Sequence, residues 1–346
     1  MVAPKPTAAR SVVFGGFSSD SLRERLDDAS CKGVITQDGA WRRGKVVPLK
    51  ENVDLALEGQ ETVTSVLVLE RCKNEVTWSE GRDHWWHDVV PAQDEFLEAE
   101  EMDSEDLLFI LYTSGSTGKP KGVVHTHGGW LSGITHTMRT VFNANQDDCL
   151  YVIGDPGWIT GQSYLIAAPL VQGMTTVIAE GSPLFPHAGR FSSIIERYKV
   201  TLFKAGSTFL KAVMTDPASA REMADFDMST LRVGTFCAEP VSPAVQQFAM
   251  DNICKHYINS YWATEHGGIV FSCPWGGYKP LAADAKTWSL PWIQAEVRIA
   301  ETTADDGTVT AWRTAESGEK GELVITRPYP YLARTLWGDA DNLFDD

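Results

Sequence analysis

The sequence predicts an α/β fold, in which a parallel-rich sheet flanked by helices precedes a smaller β-rich region. Three observations carry this. Between residues 107 and 255, apolar runs of strand length alternate with stretches of helical spacing. A loop rich in Gly, Ser and Thr directly follows the first of these runs. Beyond about residue 280 the alternation stops and strand-like runs dominate.

Taken in order, QDEFLEAEEMDSED (93–106) is an acidic, solvated helix or connector. LLFILY (107–112) has the continuous apolar character of a buried strand. Residues 128–142 are helical, and CLYVIGD (149–155) and TTVIAE (175–180) are strands. RFSSIIERYK (190–199) has helical spacing. VTLFKAG (200–206) is a strand, leading to a helix through Met214. LRVGTFC (231–237) is a further strand, and Ser242 and Pro243 open a helix over 243–255. In sheets of this kind ligands sit at the carboxyl ends of the strands. Later, WIQAEVRIA (292–300) and GELVIT (321–326) are strands of a more antiparallel region, with TADDGTVTA (303–311) as a turn. The expected division is an N-terminal subdomain with its acidic connector over 1–105, an α/β subdomain over 106–280 and a β-rich subdomain over 281–346.

Bulk composition narrows the function classes. The 346 residues are 43% hydrophobic and 22% charged, which are globular values. A net charge of −16 argues against nucleic acid as a general partner, because a phosphate backbone rewards clustered cations. Small anionic substrates need only a few local cations and backbone N–H groups. Six scattered cysteines without a CxxC disfavour a zinc ribbon or a disulfide framework. The opening residues contain no apolar run of signal-peptide or membrane-span length, so no membrane partner and a cytoplasmic setting are expected.

The sharpest segment is YTSGSTGKPKG (112–122). Four hydroxyls and two lysines fall within nine residues, and Gly115, Gly118 and Gly122 let backbone N–H groups turn around an anion. It is not a Walker A loop, because Pro120 follows Lys119 where Ser or Thr would open a helix. Nor is it a nucleophile elbow, because Ser114 stands where Gly-x-Ser-x-Gly requires glycine. The string resembles the phosphate loop of the adenylate-forming (AMP-binding) superfamily and matches its form at every position. The resemblance implies that Thr113, Ser114, Gly115, Ser116, Thr117, Gly118 and Lys119 hold the ATP phosphates.

Other segments look like the acetyl- and propionyl-CoA synthetase branch of that family. They are SVVFGGFS (11–18), GDPGWITGQSYLIAAPLVQGMTTVIAEG (154–181), Ala238–Pro240 and YWATEHGG (261–268). The implied reaction joins a short carboxylate, ATP and coenzyme A into an acyl-CoA through an acyl-adenylate, releasing AMP and pyrophosphate. It brings two anions together, so Mg²⁺ is implied. Glu265 matches the metal-linked glutamate and Thr264 the α-phosphate contact. With Lys119 they are the expected catalytic residues. Ala238, Glu239 and Pro240 match an adenine-contacting Gly-Glu-Pro, with alanine for glycine, a change that needs a compatible φ. Asn259, Ser260 and Tyr261 fall where the family runs Asp-Thr-aromatic along the adenine. Asp339 matches the ribose-binding aspartate.

By the same resemblance, Trp262 closes a pocket fit for a short acid, walled also by Ile159, Thr160 and Cys237. Acetate, propionate and 3-hydroxypropionate stay open, since one methylene is worth only about 1–3 kcal/mol. Arg42 and Lys45, in WRRGKVVPLK, align with arginines that contact the coenzyme A phosphate. FKAGSTFLKAVM (203–214) departs from the acetate-type TAPTAIRALM and is closer to the ligase module of propionyl-CoA synthase. His84 and His87 have metal-pair spacing, but two ligands are not a site. His125 and His127 would share a face on a strand, with a structural role favoured. His266 departs from the family's threonine.

The resemblance also implies segments outside these 346 residues: part of the N-terminal subdomain and a small C-terminal domain acting in cis or in trans. The isolated chain is therefore expected to be weakly active or inactive. A non-catalytic nucleotide-binding fragment, and an adenylation domain serving a carrier protein, are the alternatives.

Overall fold

Helix, strand and helix alternate first around a small parallel sheet. The computed structural model describes residues 9–113, 119–273, 282–284, 286–304 and 308–338. Helix α1 (Ser19–Asp28) starts where the Ser18 hydroxyl accepts the Ser21 N–H. Strand β1 (Gly33–Gln37) follows, then a hairpin of β2 (Ala40–Arg42) and β3 (Lys45–Val47), helix α2 (Leu49–Leu57), β4 (Ser65–Leu69), β5 (Asp83–Trp85) and the short α3 (Trp86–Val89). The sheet order is β1-β4-β5, all parallel. Leu26, Val53, Ala56, Val66 and Val68 close its core. Lys50 is buried there and pairs with the buried Asp83 at 2.8 Å. Residues 95–103 carry no helix and are exposed, so the acidic stretch is a connector.

Strand β6 (Leu107–Thr113) corrects one expectation. It pairs antiparallel with β7 (Lys121–Thr126) instead of joining the parallel sheet. The apolar run gave the strand but not its partner, because both faces of an antiparallel hairpin can also be buried. Helix α4 (His127–Phe142) then buries Trp130, Ile134, Met138 and Val141 and stops at Asn143, in the left-handed region at φ 48°. His125 thus lies within β7 while His127 begins α4, so the two do not share a strand face.

The main sheet is built from β8 (Cys149–Ile153), β9 (Thr175–Val177), β10 (Leu202–Gly206), β11 (Val233–Cys237), β12 (Tyr257–Tyr261), β13 (Phe271–Ser272) and β14 (Trp288–Ser289). Its order is β14-β13-β12-β11-β10-β8-β9. The five strands from β12 to β9 are parallel, and β13 and β14 extend the edge antiparallel. A π-helical turn (Gly161–Ala167) and α5 (Ala168–Val171) lead into β9. Helices α6 (Gly189–Tyr198), α7 (Ser207–Thr215), α8 (Ser219–Ala224) and α9 (Pro243–Asn252) fill the crossovers. One sheet face packs on α4 and the π-helical turn through Leu150, Leu202, Val233, Ile258 and Tyr164. The other packs on α6, α7 and α9 through Phe191, Phe203, Leu210 and Tyr257.

The C-terminal region is antiparallel. Strands β15 (Ala295–Thr303), β16 (Val309–Thr314) and β17 (Glu322–Ile325) form a sheet in the order β16-β15-β17. Strand β18 (Thr335–Leu336) returns to pair with β7. Among the described residues no helix is long and apolar enough to cross a membrane.

Candidate active site

Parallel register brings the candidate segments to one edge. Gly206 pairs with Cys237 and Phe236 with Asn259, so β10, β11 and β12 end nearly level. Just past those ends lie Ser207, Ala238–Pro240 and Trp262–Glu265.

Ala238 has φ 83°, in the left-handed region that glycine tolerates best. The family's glycine has a conformational reason here, and alanine bears the strain. The turn exposes Glu239, whose N–H donates to Ser207 Oγ at 3.1 Å. Its carboxylate pairs with Lys211 Nζ at 2.7 Å across α7. Tyr261 is 46% exposed and presents a ring at the edge. Ser260 is placed otherwise. Its hydroxyl is buried, donating to Phe236 O at 2.7 Å and accepting from Lys204 Nζ at 2.8 Å. Ser260 is buried as a whole, main chain included, so it offers a nucleotide no accessible surface here.

Trp262 is buried and packs edge-on to Tyr164, with centroids 5.1 Å apart. Thr160 Oγ1 lies 4.0 Å from Cys237 Sγ, and Ile159 is buried beside them in the same core. The four expected wall residues thus come from three elements onto one side of the sheet.

The hairpin carrying the Gly-rich loop is tied to this edge. Thr113 pairs with Lys121 at its base, and Lys119 leads into β7. Ser114, Gly115, Ser116, Thr117 and Gly118 lie outside the described residues, as does Asp339. His125, buried on β7, contacts the Thr264 main-chain oxygen through Nε2 at 2.8 Å. The Ala333 N–H donates to Glu265 O, Arg334 N–H to Val124 O and Trp337 N–H to Gly122 O. The chain leading toward Asp339 is therefore stitched to both the hairpin and the 264–265 turn.

The Glu265 side chain is exposed and has no hydrogen bond or ion pair among the described residues. A free carboxylate at this edge fits Mg²⁺, which is typically held by one or two carboxylates with substrate phosphates. Among the described residues no group of three His, Cys, Asp or Glu could form an all-protein metal site. His266, unexplained by sequence, accepts the Ala263 N–H on Nδ1 at 3.0 Å and so closes the turn that displays Glu265. Burial pushes its pKa down to about 4, as it does for His125. Both rings are neutral at pH 7.

Arg42 and Lys45 face each other across the β2–β3 hairpin, whose turn places Arg43 and Gly44 at positive φ. Arg42 lies over the Phe14 ring at 5.2 Å, and Phe14 packs at 6.2 Å from Trp158, next to Ile159. The basic hairpin is thereby joined to the segment holding Ile159 and Thr160.

Sequence reasoning missed two residues here. Lys211 is an ordinary surface lysine by pattern. Lys204 had a visible signal, a lysine interrupting the apolar run VTLFKAG, and it proves to be completely buried.

Comparison with known proteins gives the family. The AMP-binding enzyme family matches residues 3–337. The chain is 40% identical over 340 residues to the acetyl-coenzyme A synthetase of Pasteurella multocida, covering 96% of this chain and 50% of that protein. It is 41% identical to that of Pyrobaculum aerophilum, covering 96% and 49%, and 40% identical to that of Streptomyces coelicolor, covering 98% and 50%. The chain thus spans about half the length of the curated relatives it matches. A match running through nearly every described element, from the N-terminal sheet to β18, makes this chain a member of the AMP-binding enzyme family.

Proposed function

We propose that this chain supplies the nucleotide and acyl sites of an AMP-forming acid–thiol ligase acting on a short carboxylic acid. The observation that carries the reading is the level ending of β10, β11 and β12, which sets Glu239, Trp262 and Glu265 on one edge. In the proposed roles, Glu239 and Tyr261 border adenine, Asp339 the ribose, and Thr264 the α-phosphate. The 113–119 loop takes the β- and γ-phosphates, and Arg42 and Lys45 take the coenzyme A phosphate. Mg²⁺, held by Glu265 and phosphate oxygens, would lower the repulsion between carboxylate and phosphate. No protein nucleophile is invoked. The chain's contribution is positioning and charge stabilisation. Trp262 and the basic hairpin favour a small acid and free coenzyme A over a carrier-protein acceptor. Thioester turnover is proposed for a protein of the relatives' full length, with its remaining parts in cis or in trans.

The test is calorimetric titration of this chain with the propyl ester of AMP, a stable stand-in for an acyl-adenylate. Saturable binding, weakened by Glu239→Ala and shifted toward longer esters by Trp262→Gly, is expected. A folded chain that binds neither AMP nor the ester would refute the reading.

A further inference from the structure

Arg25, in the last turn of α1, is 6% exposed and forms no ion pair among the described residues. Its Nη1 donates to Ser21 O and, at 2.6 Å, to Ser21 Oγ, one turn back on the same helix. Nε and Nη2, the side-on fork of the guanidinium, make no hydrogen bond among the described residues. Two rings flank the group instead: Cζ is 4.7 Å from the Phe17 centroid and 5.8 Å from that of Tyr112. Aromatic faces offset only part of the cost of burying a cation.

The side chain lines a cleft of about 240 Å³ between α1, the β6–β7 hairpin and Trp158. A water takes about 30 Å³ in the liquid, so the cleft has room for a small oxyanion. Two acids lie near. Asp28 is engaged by the Tyr112 hydroxyl, which donates to it. Glu24 lines the cleft, is exposed and forms no ion pair among the described residues. Burial lowers the Arg25 pKa, and the Glu24 charge offsets this only in part. The guanidinium stays charged all the same.

The position of the cleft narrows the choice of anion. Tyr112 and Pro120, on its wall, flank the Gly-rich segment in sequence. Pro120 stands between the exposed Lys119 and Lys121. Arg25 and these two lysines bring three positive charges to the base of the hairpin, in a chain of net charge −16. A guanidinium fork matches two phosphate oxygens at once, which a lone ammonium does not.

We propose that this cleft is an anion site that takes inorganic diphosphate, with Arg25 as its cation. Nε and Nη2 donate to two oxygens of one phosphoryl group, while Phe17 and Tyr112 hold the guanidinium between their rings. Glu24, on the same wall, repels the bound ion and keeps its affinity low enough for release. The anion site stands on the buried guanidinium and the cleft. The choice of diphosphate rests on the reading given above, in which that ion is set free beside the same hairpin.

The test is calorimetric titration of diphosphate into the chain saturated with ATP and Mg²⁺, so that the nucleotide site is filled. One diphosphate is expected to bind. Arg25→Met should weaken it at least about tenfold, as expected for a lost hydrogen bond to a charged group, with ATP affinity unchanged. Arg25→Lys, which keeps the charge without the fork, should fall between. Glu24→Gln leaves Arg25 in place and serves if the arginine variants do not fold. It should tighten diphosphate roughly twofold to fivefold. Diphosphate that ATP excludes, or that binds wild type and these variants alike, overturns the inference while the nucleotide reading stands. Equal affinity for inorganic phosphate overturns the assignment to diphosphate. If the chain binds no ATP, the nucleotide reading fails, and the anion site stands or falls on the same variants titrated without nucleotide.

Discussion

His125 donates its Nε2–H to the main-chain oxygen of Thr264 across 2.8 Å, joining residues 139 positions apart. The donor sits on β7, which carries the Gly-rich loop, and the acceptor precedes Glu265. One hydrogen bond thus ties the hairpin that carries the Gly-rich loop to the turn that carries Glu265. The ring also packs on Phe109, with centroids 5.1 Å apart. His125→Phe keeps an aromatic ring against Phe109 and removes the donor. We expect a loss of about 1–3 kcal/mol in urea denaturation, together with weaker binding of the AMP propyl ester. Unchanged stability and affinity would show that the hairpin is held by its β18 pairing alone.

Acid should weaken the fold earlier than its carboxylates would. His125 and His266 have folded pKa values pushed by burial to about 4, against about 6.5 when unfolded. A base with a depressed folded pKa binds fewer protons in the native state. Its stabilising contribution is complete above pH 6.5 and is lost as the pH falls toward 4. Between pH 7 and 5 each ring should cost about 2 kcal/mol. His266 would also lose its acceptor for the Ala263 N–H on protonation. The check is a urea midpoint series from pH 7.5 to 5. A flat wild-type profile, or one as steep in His125→Phe/His266→Asn as in wild type, would contradict it.

Ala238→Gly should stabilise the chain. At φ 83° a Cβ costs about 1–2 kcal/mol. Glycine returns roughly half of that gain through its freer unfolded state. A net gain of about 0.5–1 kcal/mol is expected, read as a higher urea midpoint at unchanged slope. A loss would mean that the Ala238 methyl makes contacts worth more than the strain.

What the sequence makes legible is local. The apolar run over Leu202–Gly206 announces a strand, and Ser242-Pro243 a helix start, because propensity and burial act on neighbours. The pairing of β6 is not local. The same LLFILY run would serve a parallel strand, and only the chain's return through Lys121–Thr126 decides. The expected wall residues Ile159, Thr160, Cys237 and Trp262 came from resemblance; register sets the ends of β11 and β12 level, and Thr160 meets Cys237 from another segment. His125 and His266 could not be read, since their partners are main-chain atoms whose positions depend on the whole fold. Lys204 was visible as an oddity, but its surroundings of Ser260, Tyr164 and Trp262 lie on three other segments.

Glu265→Gln separates function from stability. The Glu265 side chain is exposed and makes no described hydrogen bond or ion pair, so an isosteric amide should change stability by no more than about 0.5 kcal/mol. Its main-chain oxygen keeps the Ala333 N–H in either case, so the turn stays anchored. An amide is a poor ligand for Mg²⁺ compared with a carboxylate, because it brings no charge to a hard cation. In wild type, adding Mg²⁺ should tighten ATP binding. The variant should lose most of that tightening while binding AMP as before. Paired calorimetric titrations of ATP with and without Mg²⁺ read the difference directly. Should the variant keep the full Mg²⁺ effect, the metal must be held elsewhere on this chain or by the phosphates alone. Should it melt several degrees lower, the carboxylate has a structural partner, and its freedom at the sheet edge could no longer be taken as the mark of a ligand.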